Sequence, residues 1–319
     1  MPGMLADEAH LRSAIEQTCD LDPAVTVVHV CTPPINRIHI IETLAGFGFT
    51  KFIVEKPLAL SVEELEWLHS LVQSFELDIA VAMPWLSSLV TRRLEVELEE
   101  GLHGALRRVE SIQDKPRFLR SLRIADHPSA FDVELPHALG VVAHLLGATH
   151  EVLAAGCSDL EHEHGVVPHM GGAWMRTRHG SGVSAELQSN LASPLRQRVL
   201  RLCFESTIVT GFYSISGDDH YAQVTLESLH RHAISRAVFV DDPFPRMMAE
   251  WYQYFAGVRA RPTSTFALND IVVRTLTEAK RRAGLEVHVP AVEDVPATQV
   301  VAEARGVAEA QVVAEALPA

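Results

Sequence analysis

The segment VEKPLALS at residues 54–61 constrains the fold of this chain more than any other, because it joins an apolar strand to the start of a helix. It places Glu55, Lys56 and Pro57 at the carboxyl end of that strand. Ligands of open α/β sheets bind at the carboxyl ends of the strands. A lysine fixed there by a proline is poorly placed for a structural role, so the segment predicts a ligand site at this edge of the sheet.

Strand and helix patterns alternate through the first third of the chain. Apolar runs rich in β-branched residues are typical of strands buried on both faces, and they lie at 25–31, 51–54 and 78–83. The predicted helices are 7–18, 37–46, 61–75 and 87–100. Asn36 is expected to cap the second helix, and Ser61 with Glu64 forms a capping box for the third. This order implies parallel βαβ units.

After Gly104 the pattern becomes that of an antiparallel sheet with one apolar face. The predicted strands are 107–113, 151–159, 173–179, 182–191, 196–203, 206–215 and 221–229, and the predicted helices are 131–146, 243–258 and 269–282. The fold class is therefore α/β, with a partial doubly wound, Rossmann-like parallel sheet followed by an α+β domain with an open antiparallel sheet. The expected units are 1–103 for the first domain, 104–288 for the second and 289–319 for a tail.

The tail is of low complexity. It repeats VAEA at 301, 307 and 313, a period of six residues that matches neither a helix nor a strand. We expect the tail to be dispensable for the fold.

Composition narrows the functional classes. The net charge of −14 and the lack of a long basic run argue against nucleic acid and anionic membrane as partners. The four cysteines are scattered and never in CxxC spacing, which indicates reduced thiols in a cytoplasmic protein. The first residues lack a signal-peptide pattern, and no apolar run approaches the ~20 residues of a membrane span. We therefore expect a cytoplasmic protein whose partner is a small molecule.

Four motifs, taken in order, point to a known family. They are CTPP at 31–34, VEKPLALS at 54–61, ELPHALGVVAHLLG at 134–147 and a late pair of helices that begin at 243 and 269. This order resembles the Gfo/Idh/MocA family of glucose–fructose oxidoreductase and inositol dehydrogenase, over roughly residues 8–285. The resemblance implies an NAD(P)-dependent oxidoreductase that acts on a sugar-like or cyclitol-like small molecule.

The chain departs from the family pattern in ways that affect the cofactor. Residues 8–20 match the third helix of the family, so the resemblance implies that the first half of the Rossmann domain is absent, and the GxGxxG phosphate loop with it. Arg37 stands where the family often has a histidine, and Val133 stands where it often has an aspartate. We therefore expect weak NAD(P) binding, or none, by this chain alone.

The resemblance also assigns the candidate site. Lys56 would reach the substrate hydroxyl and the nicotinamide ribose, and His137 would act as the general acid or base. The residues expected to line a cofactor are Thr32, Pro33, Glu55 and Lys56, and those expected in the substrate cleft are Trp85 and Glu134. Five of these residues also have a structural alternative: a solvated strand end for Lys56, a packed helix residue for His137, a strand-ending turn for Thr32 and Pro33, and a core aromatic for Trp85. Glu55 is expected to orient Lys56 or the neighbouring backbone rather than to act as a base.

Two further groups of residues leave alternatives open. Asp132 or Glu134 could replace the missing aspartate partner of His137, although only Glu134 lies on the same helical face. His162, His164 and His169 could suggest a metal site, but no cysteine accompanies them and they fall in an expected loop. We predict no metal.

Three functions compete at this stage. The first is an NAD(P)-dependent oxidoreductase, and the second is an isomerase, lyase or cyclase that uses Lys56 and His137 without a dinucleotide. The third is a non-catalytic binding or scaffold subunit, against which the retained EKP and PHAL motifs argue. The strand at 25–31 would be an unprotected edge, and such edges recruit other chains. Relatives also associate through the second-domain sheet, so we expect a homo-oligomer, a dimer above all.

Overall fold

Two β-sheets organise the chain in a computed structural model that describes residues 22–123, 127–163, 165–180, 182–230 and 233–285. The first is a small parallel sheet and the second is a larger mixed sheet, which confirms the predicted fold class. The helix predicted at 7–18 and the repeats at 301–316 lie outside the described residues.

The parallel sheet contains three strands in the order β1-β2-β3. They are β1 (Val27–Val30), β2 (Lys51–Glu55) and β3 (Asp78–Ala82), and both pairs run parallel as predicted. The helices that follow them are α1 (Arg37–Gly46), α2 (Val62–Phe75) and, after a 3-10 turn at Pro84–Ser87, α3 (Leu89–Glu99). Three successive residues of β2 are buried, which is why an uninterrupted apolar run identified this strand.

One helix cap matches the sequence prediction and one does not. Ser61 Oγ accepts a hydrogen bond from the Glu64 amide at 3.2 Å, while the Glu64 carboxylate accepts from the Leu60 amide at 2.7 Å. The predicted cap at Asn36 is wrong, because this residue has a left-handed backbone with φ 65° and its side chain makes no capping bond. Asparagine tolerates this conformation better than most residues, so Asn36 serves the turn rather than the helix.

The second sheet has eight strands in the order β11-β10-β9-β8-β4-β7-β6-β5. The strands are β4 (Leu106–Asp114), β5 (Thr149–His162), β6 (Gly165–His179), β7 (Ser184–Asn190), β8 (Gln197–Phe204), β9 (Thr207–Phe212), β10 (Tyr221–Ser228) and β11 (Ile234–Val240). Neighbours pair antiparallel except β4 with β7, which run parallel. The sequence prediction missed β11, and it took the β5–β6 hairpin near His162 and His169 for a loop.

Helices pack against strands of both sheets. The remaining helices are α4 (Phe118–Arg123), α5 (Leu135–Leu146), α6 (Pro243–Phe255) and α7 (Phe266–Arg282). From α6, Met247, Trp251 and Phe255 pack on one face of the parallel sheet, so the apolar side of this helix is core. None of the helices in the described part of the chain is long and apolar enough to cross a lipid bilayer.

The two edges of the parallel sheet differ. Beside β3, Ser264 accepts the Val81 amide at 3.2 Å and donates its hydroxyl to the Val81 carbonyl at 2.5 Å, so the segment before α7 covers that edge. Among the described residues β1 forms the other edge. The homo-oligomer inferred from this edge stays a prediction.

A buried ion pair joins α7 to the segment before α5. Lys280 Nζ pairs with Asp132, and Asp132 Oδ2 accepts the Ser129 hydroxyl at 2.8 Å. The side chains of Lys280 and Asp132 are only 6% and 1% exposed. Removing one partner of a buried pair leaves an uncompensated charge, which costs far more than the pair contributes.

We predict that Lys280→Met lowers the free energy of unfolding by about 3–5 kcal/mol. The matched control is Arg281→Met, which removes an ion pair with Glu278 from the exposed side of the same helix turn and should cost less than about 1 kcal/mol. Urea unfolding followed by circular dichroism measures both. The double variant Lys280→Met/Asp132→Asn should recover part of the loss; equal effects of the two single variants would contradict this account.

Candidate active site

The carboxyl end of β2 meets the start of α5, and Lys56 lies at this junction, which is named the candidate cleft here. Its side chain is mostly buried. Lys56 Nζ donates a hydrogen bond to the carbonyl of Val133 at 2.5 Å and approaches that of Asp132 at 3.4 Å. Because β2 ends just before it, the lysine reaches across the edge of the parallel sheet to the segment that leads into α5.

Three of the four lysines of the chain converge on residues 132–134. Lys280 pairs with the Asp132 side chain, Lys56 binds the Val133 carbonyl, and Lys115 Nζ contacts Glu134 Oε1 at 2.6 Å. These lysines come from α7, from the end of β2 and from just after β4. Glu134 is therefore paired with Lys115 rather than free to orient His137, and Asp132 is taken by Lys280.

His137 lies in the first turn of α5, in contact with an aromatic stack. Its ring stacks on Trp85 at a centroid distance of 5.6 Å, and Trp85 stacks on Tyr213 at 4.5 Å. The Tyr213 hydroxyl and Thr91 Oγ1 are 2.9 Å apart. Trp85 is buried and belongs to the core, in contact with His137. His137 Nδ1 is buried and has no hydrogen-bond partner in the part of the chain that the structure describes.

Burial and charge together set the protonation states of the cleft. Burial lowers the pKa of Lys56 to about 8, although the Glu134 carboxylate opposes this shift. Burial, reinforced by the charge of Lys56, lowers the pKa of His137 to about 3. Burial disfavours the charged form of Glu134, but Lys115 outweighs it and the pKa falls to about 2. At neutral pH the cleft therefore holds a carboxylate, a neutral imidazole and a lysine that can exchange its proton.

Arg37 joins the turn after β1 to the turn after β2. Its Nη1 donates to the carbonyl of Glu55 at 2.6 Å and also to that of Pro57, while Nη2 donates to the carbonyl of Thr32. Arg37 is only 2% exposed, and burial lowers its pKa to about 10. Arg37 therefore holds the turns after β1 and β2 together, and it brings the predicted Thr32, Glu55 and Lys56 to the same edge of the sheet.

The described residues fit only one end of a dinucleotide. The buried Thr32 Oγ1 has no hydrogen-bond partner among them and would suit a nicotinamide amide, and Pro33 is exposed beside it. The turns after the three parallel strands are CTPPIN at 31–36, KPLALS at 56–61 and MPWLSS at 83–88, and none contains a glycine. A pyrophosphate needs close approach to backbone N–H groups at a helix start. None of these three turns therefore has the glycine-rich sequence that lets a pyrophosphate approach the backbone closely.

The histidines that could suggest a metal site lie on the β5–β6 hairpin. His169 Nδ1 is 3.6 Å from Asp159 Oδ1, and its backbone amide donates to the same oxygen at 2.8 Å. His162 lies near the end of β5, and His164 is outside the described residues. Over the described ranges, no group of three or more histidine, cysteine, aspartate or glutamate side chains is placed to hold a metal ion.

Sequence reasoning missed several residues of the cleft. Lys115 contacts Glu134, and Arg198 and Tyr213 contact Trp85. Gln113 pairs with Arg198 across the second sheet. The position of Lys115 could have indicated a functional role, because the chain has only four lysines and one of them directly follows the predicted strand 107–113. Arg198 and Gln113 carry no comparable local signal.

Comparison with known proteins supports the fold alone. No family model matches the chain, and no curated protein matches it. The 3-ketoreductase KijD10 from Actinomadura kijaniata, solved with TDP-benzene and NADP, has 16% identity and a TM-score of 0.69, and the match covers 85% of this chain and 80% of that one. The UDP-N-acetylglucosamine 3-dehydrogenase GnnA from Acidithiobacillus ferrooxidans has 17% identity and a TM-score of 0.61, with 86% of each chain covered. An inositol dehydrogenase homolog from Azotobacter vinelandii, solved with NADH and myo-inositol, has 15% identity and a TM-score of 0.67, with 86% of this chain and 79% of that one covered. The chain therefore has the fold of the Gfo/Idh/MocA-type oxidoreductases, as its motifs predicted.

Proposed function

We propose that this chain is an enzyme that transfers a proton at a hydroxyl-bearing or carbonyl carbon of a sugar-like or cyclitol-like small molecule. One observation carries the proposal: the Lys56 ammonium binds the carbonyl of Val133, which lies four residues before His137 in the chain. The cation and the imidazole therefore lie at the same candidate cleft. The solved structures of similar fold support the substrate class, since they include a 3-ketoreductase and an inositol dehydrogenase homolog with myo-inositol.

The charges of the cleft assign a role to each side chain. An enzyme lysine whose pKa has been lowered toward neutrality is matched to general acid–base work, so Lys56 exchanges the proton and stabilises a developing alkoxide. The neutral imidazole of His137 forms a hydrogen bond to a substrate hydroxyl through Nδ1. Glu134, held anionic by Lys115, keeps the protonated form of Lys56 favourable. Proton transfer is thus assigned to Lys56 rather than to His137.

Two reactions can use this proton transfer. An oxidoreductase would combine it with a dinucleotide, which requires a phosphate-binding element beyond the described residues. An isomerase, lyase or cyclase would need only the chain's own acid and base and no dinucleotide. A non-catalytic subunit is disfavoured, because a scaffold role does not require a mostly buried lysine beside an imidazole nitrogen that has no partner among the described residues.

We predict that Lys56→Ala lowers kcat by about a hundredfold or more, since one positioned acid–base group contributes roughly 10²–10⁴. His137→Ala removes a hydrogen bond to the substrate hydroxyl and should lower kcat/KM by about tenfold. Turnover is measured on a substrate identified from a panel of sugars and cyclitols. Lys51→Ala, at the exposed start of the same strand, and His39→Ala, on the surface of α1, are the matched controls and should retain activity. Full activity in either cleft variant, with the fold intact by circular dichroism, would refute the assignment.

We also predict that the purified chain binds NAD⁺, NADH, NADP⁺ and NADPH weakly or not at all, because the described turns offer no pyrophosphate cradle. Titration calorimetry with each nucleotide provides the measurement. A dissociation constant in the low micromolar range for any of them would contradict the fit of the site and select the dinucleotide-dependent reaction.

A further inference from the structure

Three polar side chains form a row across the second sheet beneath the cleft. Gln113 on β4 pairs with Arg198 on β8 and with Ser189 on β7. Residues directly opposite each other in paired strands project to the same face of a sheet, and Gln113 and Ser189 are both buried. Lys115, two residues after Gln113, reaches Glu134 near the start of α5. The row therefore lies on the face that meets the residues before α5.

Buried polar atoms in this region have no protein partner. Gln113 Nε2 donates to Ser111 Oγ at 3.0 Å, but Gln113 Oε1, Ser189 Oγ and His137 Nδ1 have no partner among the described residues. Gln113 is 1% exposed and Ser189 is 3% exposed. Buried polar groups in folded proteins are nearly always hydrogen-bonded, so these atoms are suited to the hydroxyls of a ligand.

The same region holds an excess of positive charge. Arg198 Nη1 donates to the Ser214 carbonyl at 3.0 Å, and its guanidinium carbon lies 5.9 Å from the Trp85 ring centroid. No carboxylate forms an ion pair with Arg198 or Lys56 in the described part of the chain. Glu134 acts on Arg198 but is already paired with Lys115. Arg198 is half-buried, and a guanidinium without an ion-pair partner matches the planar or tetrahedral oxygens of a carboxylate or a phosphate.

We propose that the substrate is an anionic sugar-like compound whose carboxylate or phosphate ester binds Arg198 while its hydroxyls bind Gln113 and Ser189. The inference rests on the proposed function, because it concerns the substrate of the same cleft. It makes Arg198 a specificity-determining residue: it would select acidic over neutral sugars without touching the proton that Lys56 transfers.

The test compares neutral and anionic sugars by titration calorimetry on the full chain. The probes are D-glucose, D-glucuronate and D-glucose 6-phosphate, with the corresponding galactose and mannose sets. At least one anionic sugar should bind about tenfold or more tightly than its neutral counterpart, in line with a hydrogen bond to a charged group. Comparison of the affinities for the sugar acids and the sugar phosphates identifies whether the site binds a carboxylate or a phosphate ester.

Arg198→Gln should abolish that preference, and Arg198→Lys should retain part of it. The matched control is Arg196→Gln, which removes the same charge from an exposed position two residues earlier and should leave the preference unchanged. Equal affinity for neutral and anionic sugars, or an equal effect of the two glutamine variants, would overturn the inference while leaving the proposed function standing. No binding of any sugar at millimolar concentration would overturn both.

Discussion

The segment from Asp132 to Glu134 is the point on which the rest of the structure depends. Three lysines from distant parts of the chain hold it: one from α7, one from the end of β2 and one from just after β4. Since the segment leads directly into α5, these contacts fix where the helix begins and therefore where His137 lies. They also hold the end of the parallel sheet against the second sheet. Such a buried polar network is stable only when every member has its partner.

The same contacts determine the chemistry of the cleft. Lys115 and Lys280 neutralise the two carboxylates of the segment, whereas Lys56 binds backbone carbonyls and has no ion-pair partner among the described residues. A cation placed in this mostly buried position, with like charges nearby, is easier to deprotonate than one in water. The two ion pairs that hold the segment also occupy its two carboxylates, so neither carboxylate forms an ion pair with Lys56. The contacts that position the segment therefore also contribute to the low pKa of Lys56.

The sequence indicated much of this arrangement, but only where the signal was local. The strands of the parallel sheet could be predicted because burial on both faces leaves an uninterrupted apolar run, and α2 because Ser61 caps it. β11 was missed because it is a largely exposed edge strand. Lys56 and His137 came from motifs, whereas Arg198 and Gln113 meet the cleft only through strand pairing between segments far apart in the chain. No local pattern encodes such pairing.

The most direct test of the account is the ionisation of Lys56 in the folded chain. Selective ¹³C labelling of lysine gives only four Cε signals, from Lys51, Lys56, Lys115 and Lys280, and Lys56→Arg identifies the one of interest. The account predicts that this signal titrates with a midpoint near pH 8, because burial lowers the pKa of Lys56 to about 8. A midpoint at the ordinary lysine value of about 10.4 would show that Lys56 is an ordinary solvated cation and would contradict its role as the proton carrier.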